Sequence, residues 1–163
     1  MENKKLVGRN EECERLNECL ESDSAQLIIV YGRRRVGKTF LINEFFNNQF
    51  AFKLTGAYEQ SKGVQLKNFA SELSRKSGKR VKAPMDWMEA FELLRTYIED
   101  LSTDKKQVFF FDEMPWLDTY RSGFLPAFEW FWNDFASTVD NIVFIVCGSA
   151  TAWMVDNLAN NKG

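Results

Sequence analysis

The chain has 163 residues, 45% hydrophobic and 15% aromatic, which fits one domain with a sizeable core and excludes a disordered chain. Its 21 basic and 23 acidic residues leave a net charge of −2, which argues against a whole-surface electrostatic grip on nucleic acid. Histidine is absent, so Ser–His hydrolysis, histidine metal sites and histidine proton shuttles are excluded; three cysteines without a CxxC pair argue against zinc or a disulfide framework.

In chain order, Asn10 is an N-cap candidate, Glu11 and Glu12 suit a first helical turn, and Cys13, Leu16 and Leu20 recur at helical spacing. Residues 27–31, LIIVY, form an apolar run closed by Gly32, the pattern of a buried parallel strand. Lys38 to about Phe46 reads as a helix carrying Phe40, Leu41, Ile42 and Phe45. A short strand is predicted at 51–55, then a helix marked by Leu66, Phe69, Ala70 and Leu73 and closed by SGKR at 77–80. Pro84 and the D-x-x-E of Asp86 and Glu89 start a further helix with Trp87, Ala90, Phe91, Leu94, Ile98 and Leu101 on its face. VFFF at 108–111 and NIVFIVC at 141–147 are two more buried strands, and Phe124, Phe128, Phe131 and Phe135 lie on one side of the helix between them. Strands alternating with helices predict an α/β domain, a mostly parallel sheet with helices on both faces, over 1–163. The N-terminus shows no apolar segment of signal-peptide length and no 18-residue apolar run follows, so a cytoplasmic protein without a membrane segment is expected.

The segment Gly32-Arg33-Arg34-Arg35-Val36-Gly37-Lys38-Thr39 matches G-x-x-x-x-G-K-[ST] and sits between a strand and a helix, where the chemistry needs it. Backbone N–H groups of such a loop wrap phosphate, and the helix N-terminus adds partial positive charge. Lys38 is expected to reach the β- and γ-phosphates of a nucleotide, and the Thr39 hydroxyl to ligate Mg²⁺. The three arginines occupy variable positions of the loop. They read as a solvated crest or as contacts to nucleotide, DNA or a neighbouring subunit.

Asp112-Glu113 closes the strand VFFF about seventy residues later. Asp112 is the candidate for the Mg²⁺ shell. Glu113 is the candidate catalytic base that polarises water, a role that transfer to an organic acceptor does not need. Ser149, after Cys147-Gly148, either hydrogen-bonds the γ-phosphate or water, or ends its strand in a plain Gly-Ser turn. No N-K-x-D guanine-reading motif is present, which favours adenine.

The order V-G-R-N-E-E, Y-G-R-R-R-V-G-K-T, F-F-D-E-M-P-W-L and C-G-S-A, with F-E-W-F-W-N at 128–133, resembles the archaeal-type ATPase family, AAA-like P-loop NTPases related to the STAND group. The resemblance covers nearly the whole chain. It implies a three-layer α/β/α sandwich of the ASCE type, strand order 5-1-4-3-2, with the strand of Ser149 between the two Walker strands. It also implies that Val7, Gly8 and Arg9, and Phe40 after the P-loop, lie near the adenine. Family members continue into a fifth strand, a lid and often a further domain, so the chain is expected to be the N-terminal ATPase domain of a longer protein. No arginine follows Arg121 to serve as a finger, so one from a homo-oligomer or a protein partner is implied.

The reading is therefore an ATP- and Mg²⁺-binding ATPase domain. The alternatives are a nucleotide-binding switch with negligible turnover and the ATPase domain of a DNA-associated protein whose DNA contacts lie in a C-terminal region. Trp116, Trp130 and Trp153 read as core or lid contacts rather than as a base-stacking platform.

Overall fold

The computed structural model describes residues 10–32 and 37–159. Helix α1 (Asn10–Glu21) precedes strand β1 (Gln26–Tyr31), and α2 (Lys38–Phe45) precedes β2 (Phe52–Thr55). Helices α3 (Lys62–Ser77) and α4 (Trp87–Glu99) lead into β3 (Gln107–Asp112), which ends in a 3₁₀ turn at Met114–Leu117. Helix α5 (Phe124–Asp134), strand β4 (Ile142–Gly148) and the short α6 (Thr151–Met154) complete the order.

Local chemistry explains the boundaries. The Ser61 hydroxyl accepts the Val64 N–H at the start of α3, and Gly78, at φ 73°, ends it in the left-handed region that glycine adopts without penalty. At α4 the Asp86 carboxylate accepts the Glu89 N–H at 2.8 Å, so Asp86 is the N-cap, and the Glu89 carboxylate accepts the Met85 N–H one residue before the cap.

The four strands are all parallel, in the order β1-β4-β3-β2. Both inner strands are buried along their whole length, which is why they read as continuous apolar runs. Their side chains alternate between two cores. Phe109, Phe111, Ile142, Phe144 and Val146 face α3, α4 and α5. Val108, Phe110, Val143, Ile145 and Cys147 face α1 and α2 through Leu16, Leu41, Ile42 and Phe45. Period-2 alternation thus builds three layers from one sheet.

The first core is largely aromatic. Phe91 stacks on Phe131 with centroids 4.9 Å apart, Trp87 meets Phe124 edge-on at 4.9 Å, and Phe111 meets Phe144 at 5.0 Å. Phe135 lies just past the end of α5 and still packs into this core. Among the described residues no helix is long and apolar enough to cross a membrane.

Candidate functional site

Parallel strands present their C-terminal ends together, and a site grows where consecutive connections leave in different directions. Tyr31 at the end of β1 is in register with Gly148 at the end of β4, and Phe111 in β3 pairs with Val146 in β4. The P-loop exit, Asp112-Glu113 and Gly148-Ser149 therefore meet at one edge of the sheet. The strand carrying Ser149 does lie between the two Walker strands.

Glycine flanks the loop for a conformational reason. Gly37, at φ 78°, makes the left-handed turn that feeds α2, whose first residue is Lys38. Lys38 is buried, 8% exposed, and its Nζ donates to the Gly32 carbonyl oxygen at 2.9 Å. The amine therefore spans the mouth of the loop from α2 back to the end of β1. The next residue, Thr39, donates its hydroxyl to Asp112 Oδ2 at 2.8 Å, across 73 positions of sequence.

Asp112 is itself buried, 4% exposed, and each of its carboxylate oxygens accepts a hydrogen bond. Oδ2 takes the Thr39 hydroxyl and Oδ1 takes the Glu113 N–H at 2.9 Å. The buried Cys147 thiol lies against the same carboxylate; burial, then the Asp112 charge, push its pKa well above the usual thiol range, against an opposing pull from Lys38. Cys147 is thus a protonated neighbour of the site rather than a nucleophile.

Glu113 adopts φ 49°, ψ 47°, a left-handed conformation that costs a residue with a Cβ about 1–3 kcal/mol. The conformation ends β3 abruptly and starts the 3₁₀ turn. It leaves the Glu113 carboxylate accepting a hydrogen bond from the Ser149 hydroxyl at 3.3 Å. Two glycines let other backbone approach this turn. A Cβ on Gly148 would lie 2.7 Å from Pro115 Cδ and 2.9 Å from Met154 Sδ. A Cβ on Gly56 would lie 2.3 Å from the Glu113 carbonyl oxygen and 3.0 Å from Trp116 Cβ. Gly56→Ala is therefore expected to lower stability by about 1–3 kcal/mol, read by chemical denaturation, because backbone must move to admit the methyl group. An unchanged unfolding midpoint would contradict that contact.

Of the predicted residues, the structure brings together Gly32, Gly37, Lys38, Thr39, Asp112, Glu113 and Ser149. Phe40 follows on α2 and is half exposed, at 50%. Val7, Gly8, Arg9, Arg33, Arg34, Arg35 and Val36 lie outside the described residues. Trp116 and Trp153 are half-buried, the first beside the Tyr58 ring at 5.2 Å and the second donating to Asp118 at 2.9 Å, whereas Trp130 is exposed.

Thr39 and Asp112 supply a hydroxyl and a carboxylate, the hard oxygen donors that suit Mg²⁺. Among the described residues no group of three or more acidic, cysteine or histidine side chains could hold a metal. A nucleotide-bound Mg²⁺ does not require one, since it takes one or two protein oxygens together with phosphate and water. The donor set fits.

A parallel sheet, a glycine-bounded loop before a helix that opens with Lys-Thr, and a hydroxyl–carboxylate pair at the adjacent strand end define a P-loop nucleotide-binding domain. Residues 6–162 match the model of a family described as an ATPase domain predominantly from Archaea, and the chain belongs to that family of ATP-binding ATPase domains. An uncharacterized ATP-binding protein of Methanocaldococcus jannaschii is 54% identical over 44 residues, 27% of this chain and 75% of that protein. An uncharacterized protein from the same organism is 31% identical over 124 residues, 76% of this chain and 25% of the relative. A Walker-type ATPase of Pyrococcus abyssi has the same fold, with a TM-score of 0.66 at 22% identity over 98% of this chain and 50% of that one. The chain thus spans a quarter of the second relative and half of the Pyrococcus protein.

One participant was not identified from sequence. Gln65, fully buried on α3, bonds to the backbone of both the loop after β2 and the turn after β3. Its signal is a polar residue on the apolar stripe 65, 66, 69, 70 and 73 of α3, where the pattern calls for an apolar one.

Proposed function

We propose that this domain hydrolyses ATP to ADP and phosphate with Mg²⁺, Glu113 acting as the base that polarises the attacking water. The observation that carries the reading is the 2.8 Å hydrogen bond from Thr39 to Asp112, which ties the P-loop helix to the strand end that bears Glu113. Lys38 binds the β- and γ-phosphates, and its buried ammonium is already held at the loop mouth. Thr39 and Asp112 hold Mg²⁺, which when bound neutralises charge on the phosphate oxygens. Ser149 orients the Glu113 carboxylate through its hydroxyl and lies at the end of the strand between the P-loop and Glu113. Phe40, with Val7, Gly8 and Arg9, lies against adenine, and Gly32 to Val36 wrap the phosphates.

The complete sheet has the order 5-1-4-3-2. In support, β1 is apolar yet only half-buried at the edge of the described sheet, while β3 and β4 are fully buried. The arginine that completes the site comes from a neighbouring subunit or a protein partner. Such a residue is worth about 10³ to 10⁵ in rate. Any DNA contact belongs to chain outside this domain, in keeping with its net charge of −2.

The test is phosphate release at saturating ATP with Mg²⁺ and with excess chelator. Release is expected to fall at least about a hundredfold on chelation, because the metal supplies several kcal/mol of charge stabilisation. Tight nucleotide binding without release in either condition would replace this reading with that of a nucleotide switch.

A further inference from the structure

Gln65 is 0% exposed, and a buried primary amide is tolerated only when its acceptor and both donors find partners. All of its partners are backbone. Its Oε1 accepts the Ala57 N–H at 2.9 Å, while Nε2 donates to the Ala57 carbonyl at 2.7 Å, the Trp116 carbonyl at 3.2 Å and the Gln60 carbonyl at 3.4 Å. Three acceptors on one side and a donor on the other fix which way the amide points. The side chain thus closes the loop of residues 56–61 on itself and joins it to Trp116.

The joined segments are those that carry Glu113. The Trp116 N–H donates to the Glu113 carbonyl at 3.1 Å, and the Trp116 carbonyl accepts from Gln65. Gly56 N–H donates to the Asp112 carbonyl at 2.9 Å, and Gly56 packs so closely on the Glu113 carbonyl that a methyl group would not fit. The Tyr58 ring, 58% exposed, lies 5.2 Å from the Trp116 ring on the outer side of the same junction. Glu113 holds a left-handed conformation that a non-glycine residue keeps only where its surroundings over-determine it. The surroundings here are the loop after β2 and the amide that locks it.

We infer that Gln65 is a positioning residue for Glu113, holding the turn 113–116 so that the Glu113 carboxylate stays directed at Ser149. It acts through the Trp116 carbonyl and the 56–61 loop. The inference rests on the reading of Glu113 as the base. Its consequence is separable from nucleotide binding, because the backbone groups that Gln65 bonds, at Ala57, Gln60 and Trp116, lie outside the P-loop.

The experiment compares the native chain with Gln65→Met, which keeps the shape of the side chain and removes its polar atoms. Gln65→Asn, which keeps the amide but draws it back by one methylene, is the second variant should the first fail to fold. Turnover at saturating ATP, affinity for a non-hydrolysable ATP analogue, and amide hydrogen exchange of peptides covering 107–112 and 113–118 are measured for each. The expected result is turnover lowered about 10- to 100-fold, the cost of misplacing a catalytic group by about 1 Å. Analogue affinity stays within about twofold. Exchange rises about tenfold in 113–118 and not in 107–112.

Turnover and exchange both at native levels would overturn the inference. So would loss of turnover and affinity together with faster exchange through 107–112, since that pattern marks general destabilisation. A native chain that binds the analogue yet releases no phosphate would sink the hydrolysis reading alone. In that case exchange across 113–118 still decides whether Gln65 holds the turn.

Discussion

Replacing Lys38 with alanine lowers affinity for ATP–Mg²⁺ by about 10- to 100-fold, the range expected when a charge-assisted hydrogen bond to phosphate is removed. The expectation follows from where the amine sits. Lys38 is buried at the first position of α2, and its ammonium lies on the Gly32 carbonyl at the far side of the loop. Nucleotide phosphate arriving in the loop meets that charge in a place where water screens it poorly. Calorimetric titration with ATP–Mg²⁺ and with ADP measures the loss. Lys38→Met serves as a companion variant that keeps the aliphatic length and the packing of the stem. If both variants bind as the native chain does, phosphate is held elsewhere and the P-loop assignment fails.

Glu113→Gln separates binding from chemistry. Glutamine has the same shape and can still accept the Ser149 hydroxyl through its amide oxygen, so the turn and the neighbouring Asp112 are expected to stay in place. It cannot take a proton from water, and turnover should fall by about 10² to 10⁴. ATP affinity should remain within about twofold, because neither the P-loop nor the Thr39–Asp112 pair is altered. Phosphate release under saturating ATP, run beside the binding titration, reads both quantities. Undiminished release in Glu113→Gln would assign the base to another group. Equal loss of binding and release would make Glu113 a residue that shapes the site rather than one that acts in it.

These variants divide the site into two parts with different physical origins. The phosphate end is built from local geometry: a glycine at positive φ, the start of a helix and one lysine whose ammonium bonds a carbonyl six residues back. The chemical end is assembled across the sheet. Glu113 depends on Ser149 just past β4, on Gly56 just past β2 and, through Trp116, on Gln65 from α3. Substitutions at the first part are expected to change affinity, and those at the second to change rate.

The sequence by itself determined the fold class and singled out most of the candidate site residues, because both are written in short-range patterns. Apolar runs of strand length bounded by glycine or acid, helical stripes with their caps, and the spacing of Gly32, Gly37, Lys38 and Thr39 are each legible within about ten residues. The strand before Ser149 was placed between the other two by the family resemblance, and the strand order β1-β4-β3-β2 bears that out. What only the tertiary structure decided are contacts between residues far apart in the chain. Thr39 bonds Asp112 across 73 positions, Gln65 reaches Trp116 across 51, and Glu113 is held left-handed by its neighbours although its own side chain disfavours that conformation. The physical reason is that such contacts depend on strand register and on which backbone groups are left unpaired after the sheet forms, and neither is encoded in any local window. A buried glutamine on an apolar stripe shows where that accounting was closed, and the backbone groups it satisfies become known only once the chain is folded.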